Sequence, residues 1–251
     1  MGMEYDEKLC KIPFFMIHKE LLPFIGMDYD QYKILQIGES HYLNQREGNA
    51  QVHIEDFMKN WWESPCQNLL EKSSSVGWVN TRDVVKRYMD GNGTYTIFTN
   101  VLKSFSSVVL KHDLPHITLA DKSRYHYFAF MNFYQMPSLY AGERYWKSLN
   151  MDDHNNQEKS IRMWAKCMEE SCKVVDQVIG ILNPKMIAFT STAAGNDYKN
   201  YKKAKYAKDS RVVYTSHPQT PYTWNKPLKS LGQKTGKSQF EEMLKKIYNL
   251  D

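Results

Sequence analysis

Three short stretches of this chain carry side chains able to do chemistry. Gly38-Glu39-Ser40-His41-Tyr42 follows the apolar run Ile34, Leu35 and Ile37. Asn132 and Phe133 close the aromatic stretch RYHYFAFMNF that begins at Arg124. Ser216-His217-Pro218 follows RVVYT, residues 211–215. Each group comes directly after residues that read as buried strand, and in α/β proteins ligands gather at the carboxyl ends of strands. Glu39 is a carboxylate able to orient a water or stabilise a cation. His217 can donate a hydrogen bond to charge that develops on a substrate oxygen. The Asn132 amide can read a hydrogen-bonding edge. A purely structural reading stands beside this one, in which Asn132 ends a strand and His217-Pro218 is a tight turn.

The elements that must position these residues follow from periodicity. Within residues 33–43, the apolar run Ile34–Ile37 reads as the first core strand, ending at Gly38, and residues 124–133 read as the second, ending at Asn132 with Pro137 as a breaker beyond it. KMIAFT (185–190) is the third, running into Ser191–Gly195, and residues 211–215 are the fourth. Ile161, Trp164, Ala165, Met168, Cys172, Val175, Ile179 and Leu182 recur at helical spacing and present one apolar face to a sheet. Ile97, Val101, Leu102, Phe105 and Val108 mark a second amphipathic helix, residues 82–89 a shorter one, and 238–249 a closing one. Residues 1–32 read as one or two short helices. Between the first two strands, Val52, Phe57, Trp61 and the Leu69-Leu70 pair imply short helices, with Ser73–Ser75 and Gly91-Asn92-Gly93 as loops. Strands alternating with helices predict a three-layer α/β/α sandwich with a mostly parallel four-stranded central sheet. The whole chain, 1–251, reads as one domain, with a mainly helical insertion around 44–120 that caps the site.

The order of these motifs resembles the uracil-DNA glycosylase superfamily. There a first strand ends in a Gly-led motif, a middle strand in a base-reading Asn, and a late strand in His-Pro before a C-terminal helix. IGESHY stands where members have Gly-Gln-Asp-Pro-Tyr-His or Gly-Glu-x-Pro-Gly, FMNF matches the Asn-bearing strand, and TSHPQTP resembles the His-Pro-Ser-Pro loop. The resemblance covers the core from 33 to 249, apart from 44–120. It implies a glycosylase-like fold and hydrolysis of an N-glycosidic bond to uracil or a damaged base, with no cofactor and no metal. By resemblance His217 is the oxyanion stabiliser and Asn132 the base reader. Gly38, Ser40, His41, Tyr42, Phe133 and Ser191 complete the base pocket, with Tyr42 stacking, and Tyr222 and Trp224 wedge into the gap left by the flipped base. The chain departs from the pattern at Ser40, where the best-known motif has a water-positioning Asp. Glu39 keeps the acid of the Gly-Glu variant. The departure leaves a second reading open: a catalytically inactive nucleobase- or nucleic-acid-binding module of the same fold.

A third reading starts from the same residues. Gly38-Glu39-Ser40 resembles the Gly-Asp-Ser motif of SGNH-type esterases, Gly195-Asn196-Asp197 their Gly-x-Asn-Asp block, and His217 would then activate Ser40. Against it, Tyr214 stands three residues before His217, where that family has its orienting Asp. Residues 232–238, GQKTGKS, look like a P-loop but are one residue short and follow no strand.

Formal charge is +5, which permits a nucleic-acid partner without requiring one. Lys199, Lys202, Lys203, Lys205 and Lys208, interleaved with Tyr198, Tyr201 and Tyr206, form a run able to track phosphates, with Lys202, Lys203 and Lys205 at its centre. DNA is the expected partner. Cys10, Cys66, Cys167 and Cys172 have neither C-x-x-C spacing nor a matching His pair, which argues against a zinc or iron–sulfur site and for a reducing compartment. No membrane-length apolar run and no signal-peptide pattern is present, so a cytoplasmic protein is expected.

Overall fold

The computed structural model describes residues 2–42, 60–63, 79–93, 95–138, 157–219, 221–227, 229 and 232–250. The expectations for Val52, Phe57, Cys66, Leu69-Leu70 and Ser73–Ser75 lie outside them. The chain opens with α1 (Gly2–Leu9), α2 (Pro13–Ile17) and a 3-10 turn at Lys19–Leu21. The two-residue β1 (Phe24–Ile25) and α3 (Tyr29–Tyr32) lead into β2 (Ile34–Tyr42). Among the described residues α4 (Thr81–Met89), α5 (Thr96–Val108) and α6 (Leu119–Ser123) follow. Then come β3 (Phe128–Ser138), the long α7 (Gln157–Leu182), β4 (Met186–Phe189), α8 (Thr192–Asn200) and β5 (Val212–Tyr214). The short α9 (Pro221–Asn225) and α10 (Gly236–Tyr248) close the fold.

The sheet is five-stranded and mixed, in the order β1-β3-β2-β4-β5. The four expected strands are its parallel members, and β1 adds an antiparallel edge through Phe24↔Phe130 and Ile25↔Ala129. Two residues are too few to show any period, so the sequence offers no trace of this strand. Strand alternation divides the core in two. Leu35, Ile37, Met131, Phe133, Ile187 and Phe189 face α7 and α8. Ile34, Phe128, Phe130, Met186 and Ala188 face α4, α5 and α10. The stretch expected to be an inserted cap therefore supplies much of one outer layer. Val85, Tyr88, Phe98, Val101, Leu102 and Phe105 are buried against the sheet, and α5 packs on α10.

Three strand boundaries differ from expectation. Arg124–Tyr127 is a 3-10 turn, not strand, and neither β2 nor β3 stops at its motif. β2 runs on to Tyr42, and β3 passes through Pro137 to Ser138. Between the pairs Ser40↔Tyr134 and Tyr42↔Ser138 the register shifts, so β3 bulges there. A bulge leaves backbone groups off the ladder, which is where a strand tolerates proline. Side chains satisfy part of that backbone. Ser171 Oγ accepts from Gln135 N at 3.1 Å, Trp61 Nε1 donates to Gln135 O at 3.2 Å, and Gln135 Nε2 donates to Asn132 O at 2.5 Å. The Trp61 ring itself stacks on buried His18, with centroids 3.9 Å apart.

Gln36 brings a polar side chain into the middle of β2. Gln36 is fully buried, donates from Nε2 to Thr190 Oγ1 at 3.2 Å, and accepts at Oε1 from Tyr125 OH at 2.7 Å. Both ends of its amide are thus satisfied, which is what makes its burial tolerable. Among the described residues, no helix is long and apolar enough to cross a membrane.

Candidate functional site

A cleft of about 600 Å³ opens at the carboxyl ends of the parallel strands. One wall is made by Glu39, Ser40, His41 and Tyr42 from β2, Phe130 and Asn132 from β3, and His217 from the turn after β5. The facing wall is the connection between α4 and α5. Two hydrogen bonds dock that connection onto the strand ends. His41 Nε2 and Thr81 Oγ1 are 3.1 Å apart at the start of α4, and Asn100 Nδ2 of α5 donates to Pro218 O at 2.6 Å.

Gly38 and Asn132 are register partners on adjacent parallel strands, and the absence of a side chain at Gly38 is what admits the Asn132 carboxamide. A Cβ on Gly38 would lie less than 3.0 Å from Asn132 Oδ1 and 3.1 Å from the Phe130 ring. Gly38 is therefore a gap in the strand's side-chain row, filled by the Asn amide over Phe130. Asn132 is 8% exposed, and its carboxamide makes no hydrogen bond among the described residues. Its amide atoms are reached from the cleft, so they are open to a ligand or to water.

Glu39 points across β2 to the start of α8. Ser191 Oγ donates to Glu39 Oε2 at 2.6 Å while accepting from Ala194 N at 3.3 Å, so one hydroxyl both caps the helix and fixes the carboxylate. Ser191 is buried and does not line the cleft, so it acts through Glu39 rather than on a ligand.

His217 is held as a neutral ring. Burial pushes its pKa below the ordinary value, with the negative charge of Glu39 pulling the other way. Gln219 N–H donates to His217 Nδ1 at 3.1 Å. The neutral ring then carries its proton on Nε2 and is a hydrogen-bond donor there. This geometry disfavours the esterase arrangement, in which Nδ1–H must point at a carboxylate and Nε2 must accept the serine proton. Burial raises the pKa of the Tyr42 phenol, and Asp197 is bonded by Tyr134 OH.

Of the residues expected to form the site, Glu39, Ser40, His41, Tyr42, Asn132 and His217 line the one cleft, and Gly38 lies beneath its Asn. Phe133 does not. Alternation turns it to the opposite face, fully buried against Phe189 and Tyr198. Trp224 is no wedge either: it is 2% exposed and packs on Phe240 in the core beneath α10. Tyr222 does stand out at 69% exposure, with Lys226 Nζ 4.0 Å above its ring. The lysine cluster is misplaced for the cleft. Lys202, Lys203 and Lys205 follow the far end of α8, about 13 Å along the helix from Ser191. There Lys203 pairs with Glu169 at 3.6 Å, and the Lys205 backbone donates to Asp176 at 2.9 Å.

Sequence reading missed Arg87, Tyr95, Thr96 and Gln219, which also line the cleft. The signal available was Gly91-Asn92-Gly93. Gly91 and Gly93 have φ of 81° and 139°, and a Cβ on Gly93 would strike the Tyr95 ring. Tyr95 itself has φ 25°, an uncommon conformation for a bulky residue and one that concentrates at functional sites. Among the described residues no group of His, Cys, Asp and Glu is arranged to hold a metal ion. No family model matches the chain, and no curated protein or solved structure matches it significantly.

Proposed function

We propose that the protein is a glycosylase-like enzyme that binds nucleic acid, takes a flipped nucleobase into the cleft and hydrolyses its N-glycosidic bond. The observation that carries the reading is the Asn132 carboxamide, buried over Gly38 without a hydrogen-bond partner among the described residues, in one cleft with Glu39 and His217. A side-chain amide offers one donor and one acceptor side by side, the complement of a pyrimidine edge. The Phe130 ring beneath it and Tyr42 beside it supply apolar surface for the face of a base.

The chemistry follows from where charge moves. As the bond from C1′ to the base breaks, its electron pair passes to the base and accumulates on a carbonyl oxygen, while the sugar becomes cationic. The His217 Nε2–H donates to that oxygen, and a neutral donor gains strength as the oxygen becomes anionic. Glu39, held by Ser191, presents its carboxylate to the sugar side, where it stabilises the cation and orients the water whose oxygen bonds C1′. The water's proton leaves to solvent or to the departing base.

The test is single-turnover excision with protein in excess, on a single strand carrying uracil and on a panel of damaged bases. Wild type should excise slowly, since Glu39 starts one residue earlier than the usual acid, and an ångström of misplacement costs on the order of a hundredfold. His217→Ala should lower turnover far more than binding, because its contribution grows in the transition state. Strand binding without excision of any base would replace the enzyme by a binding module. Excision unchanged in His217→Ala would remove His217 from the site.

A further inference from the structure

The base-reading groups occupy one wall of the cleft and leave the other wall's chemistry unused. Arg87, in the last turn of α4, lines that facing wall, and no ion pair of its guanidinium falls among the described residues. Next to it α5 begins. Tyr95 gives this 13-residue helix no side-chain cap, its first turn contains no acid, and its first residues Thr96 and Ile97 line the cleft. An uncapped helix start concentrates partial positive charge and unpaired N–H groups. Beside a guanidinium it forms a wall suited to an anion.

A helix start and an exposed arginine are common, and by themselves they designate nothing. What gives them a ligand is Asn132 on the facing wall, 8% exposed, its amide lacking a hydrogen bond among the described residues and directed into the same cleft. One wall needs a flat donor–acceptor edge and the other needs a negative charge. The volume of about 600 Å³ leaves ample room beyond a base alone. We propose that the cleft takes a whole nucleotide unit, with its base edge on Asn132 and a phosphate of its sugar between Arg87 and the first turn of α5. This rests on the nucleobase reading above. The phosphate is a monoester if the ligand is a free nucleotide, and a diester if it is part of a strand.

The experiment measures binding at low salt by calorimetry, for wild type and Arg87→Gln. The probes are the deoxynucleosides of uracil and the four common bases, their 5′- and 3′-monophosphates, inorganic phosphate, and a short single strand with the best-bound base at its centre. Arg87 is exposed on a helix surface, so the variant keeps the fold, which circular dichroism checks. For the best base, one monophosphate should bind about tenfold or more tighter than its nucleoside, the worth of a charge-assisted hydrogen bond. Arg87→Gln should erase that preference and leave nucleoside affinity as it was. A strand binding tighter than the monophosphate, still dependent on Arg87, identifies the diester as the source, and the reverse order identifies the free nucleotide. Equal affinity for nucleoside and both monophosphates, or a preference that survives Arg87→Gln, overturns the proposal and leaves the nucleobase reading standing. Inorganic phosphate binding as well as any nucleotide overturns the nucleobase reading and with it the nucleotide unit. Failure of every probe to bind overturns both.

Discussion

Adding a single methyl group at Gly38 probes the join between fold and site. In Gly38→Ala the new Cβ falls less than 3.0 Å from Asn132 Oδ1 and 3.1 Å from the Phe130 ring. The Phe130 ring is fixed edge-to-face on Phe98, centroids 4.9 Å apart, so the Asn132 side chain is the part able to give way. Forcing an extra methyl into a close-packed place costs about 1–3 kcal/mol. For a chain of this length that lowers the melting temperature by about 2–12 °C. Once rotated away, Asn132 no longer meets a base edge, and losing a two-point amide contact worth about 1–3 kcal/mol weakens nucleobase binding about 5- to 150-fold. The assay is a double-mutant cycle by thermal denaturation and nucleoside titration over wild type, Gly38→Ala, Asn132→Ala and the pair. Both stability and affinity should couple, because truncating Asn132 removes the closest clash and leaves only the Phe130 contact. Coupling between touching residues runs about 0.5–3 kcal/mol. Strictly additive losses, or a Gly38→Ala protein that binds like wild type, would refute the claim that Gly38 exists to seat the amide.

Ser191→Ala removes a helix cap and the only hydroxyl bonded to Glu39 among the described residues. Stability should fall by about 0.5–2 kcal/mol in urea titration, and single-turnover excision should fall with it, whereas Ser191→Thr should restore both. Tyr125→Phe leaves Gln36 Oε1 buried without its donor, so unfolding should become easier by about 1–3 kcal/mol with no change in nucleobase affinity. For His217 the folded pKa lies below its ordinary 6.5, so just under that pH the unfolded chain binds more protons than the folded one. Stability should therefore decline as pH falls from about 6.5 towards the folded value, and the melting temperature of His217→Gln should decline less over the same window. Identical slopes for the two proteins would show that His217 is not the group titrating.

The parallel strands were legible because each is a short apolar run ending in a polar cluster, and α5 and α7 because their apolar residues recur at helical spacing. That periodicity also marked Glu39, Asn132 and His217 as following apolar runs, although Glu39 and Asn132 lie within β2 and β3 and only His217 comes after its strand. It could not say which face a residue takes. Phe133 and Trp224 look like stacking aromatics in a sequence, and burial in two different cores removes both from the cleft. Pro137 reads as a strand breaker only when the bulge that accommodates it is unseen. The lysine run lies close in sequence to the His217 turn, but α8 carries the chain away from the cleft before the lysines occur. Arg87 and Thr96 belong to the opposite wall, and only the docking of α4 and α5 onto the strand ends brings them into the site.

The two rims of the sheet are guarded by different means, and this bears on how the protein behaves when crowded. β3 is mostly apolar and fully buried, and among the described residues it pairs with β1 over two residues. Left open, so long an apolar rim would template a strand from another copy. Trp61, Ser171 and the Gln135 side chain occupy hydrogen-bonding groups there that an incoming strand would need. The opposite rim, β5, is only three residues long, and Lys199, Lys234 and Lys246 line the groove beside it. Short length and charged side chains, Lys234 among them paired with Glu242, discourage a second copy without any plug. Truncating Trp61 would thus expose the more adhesive rim, turning a packing defect into a route to insoluble, sheet-extended assemblies.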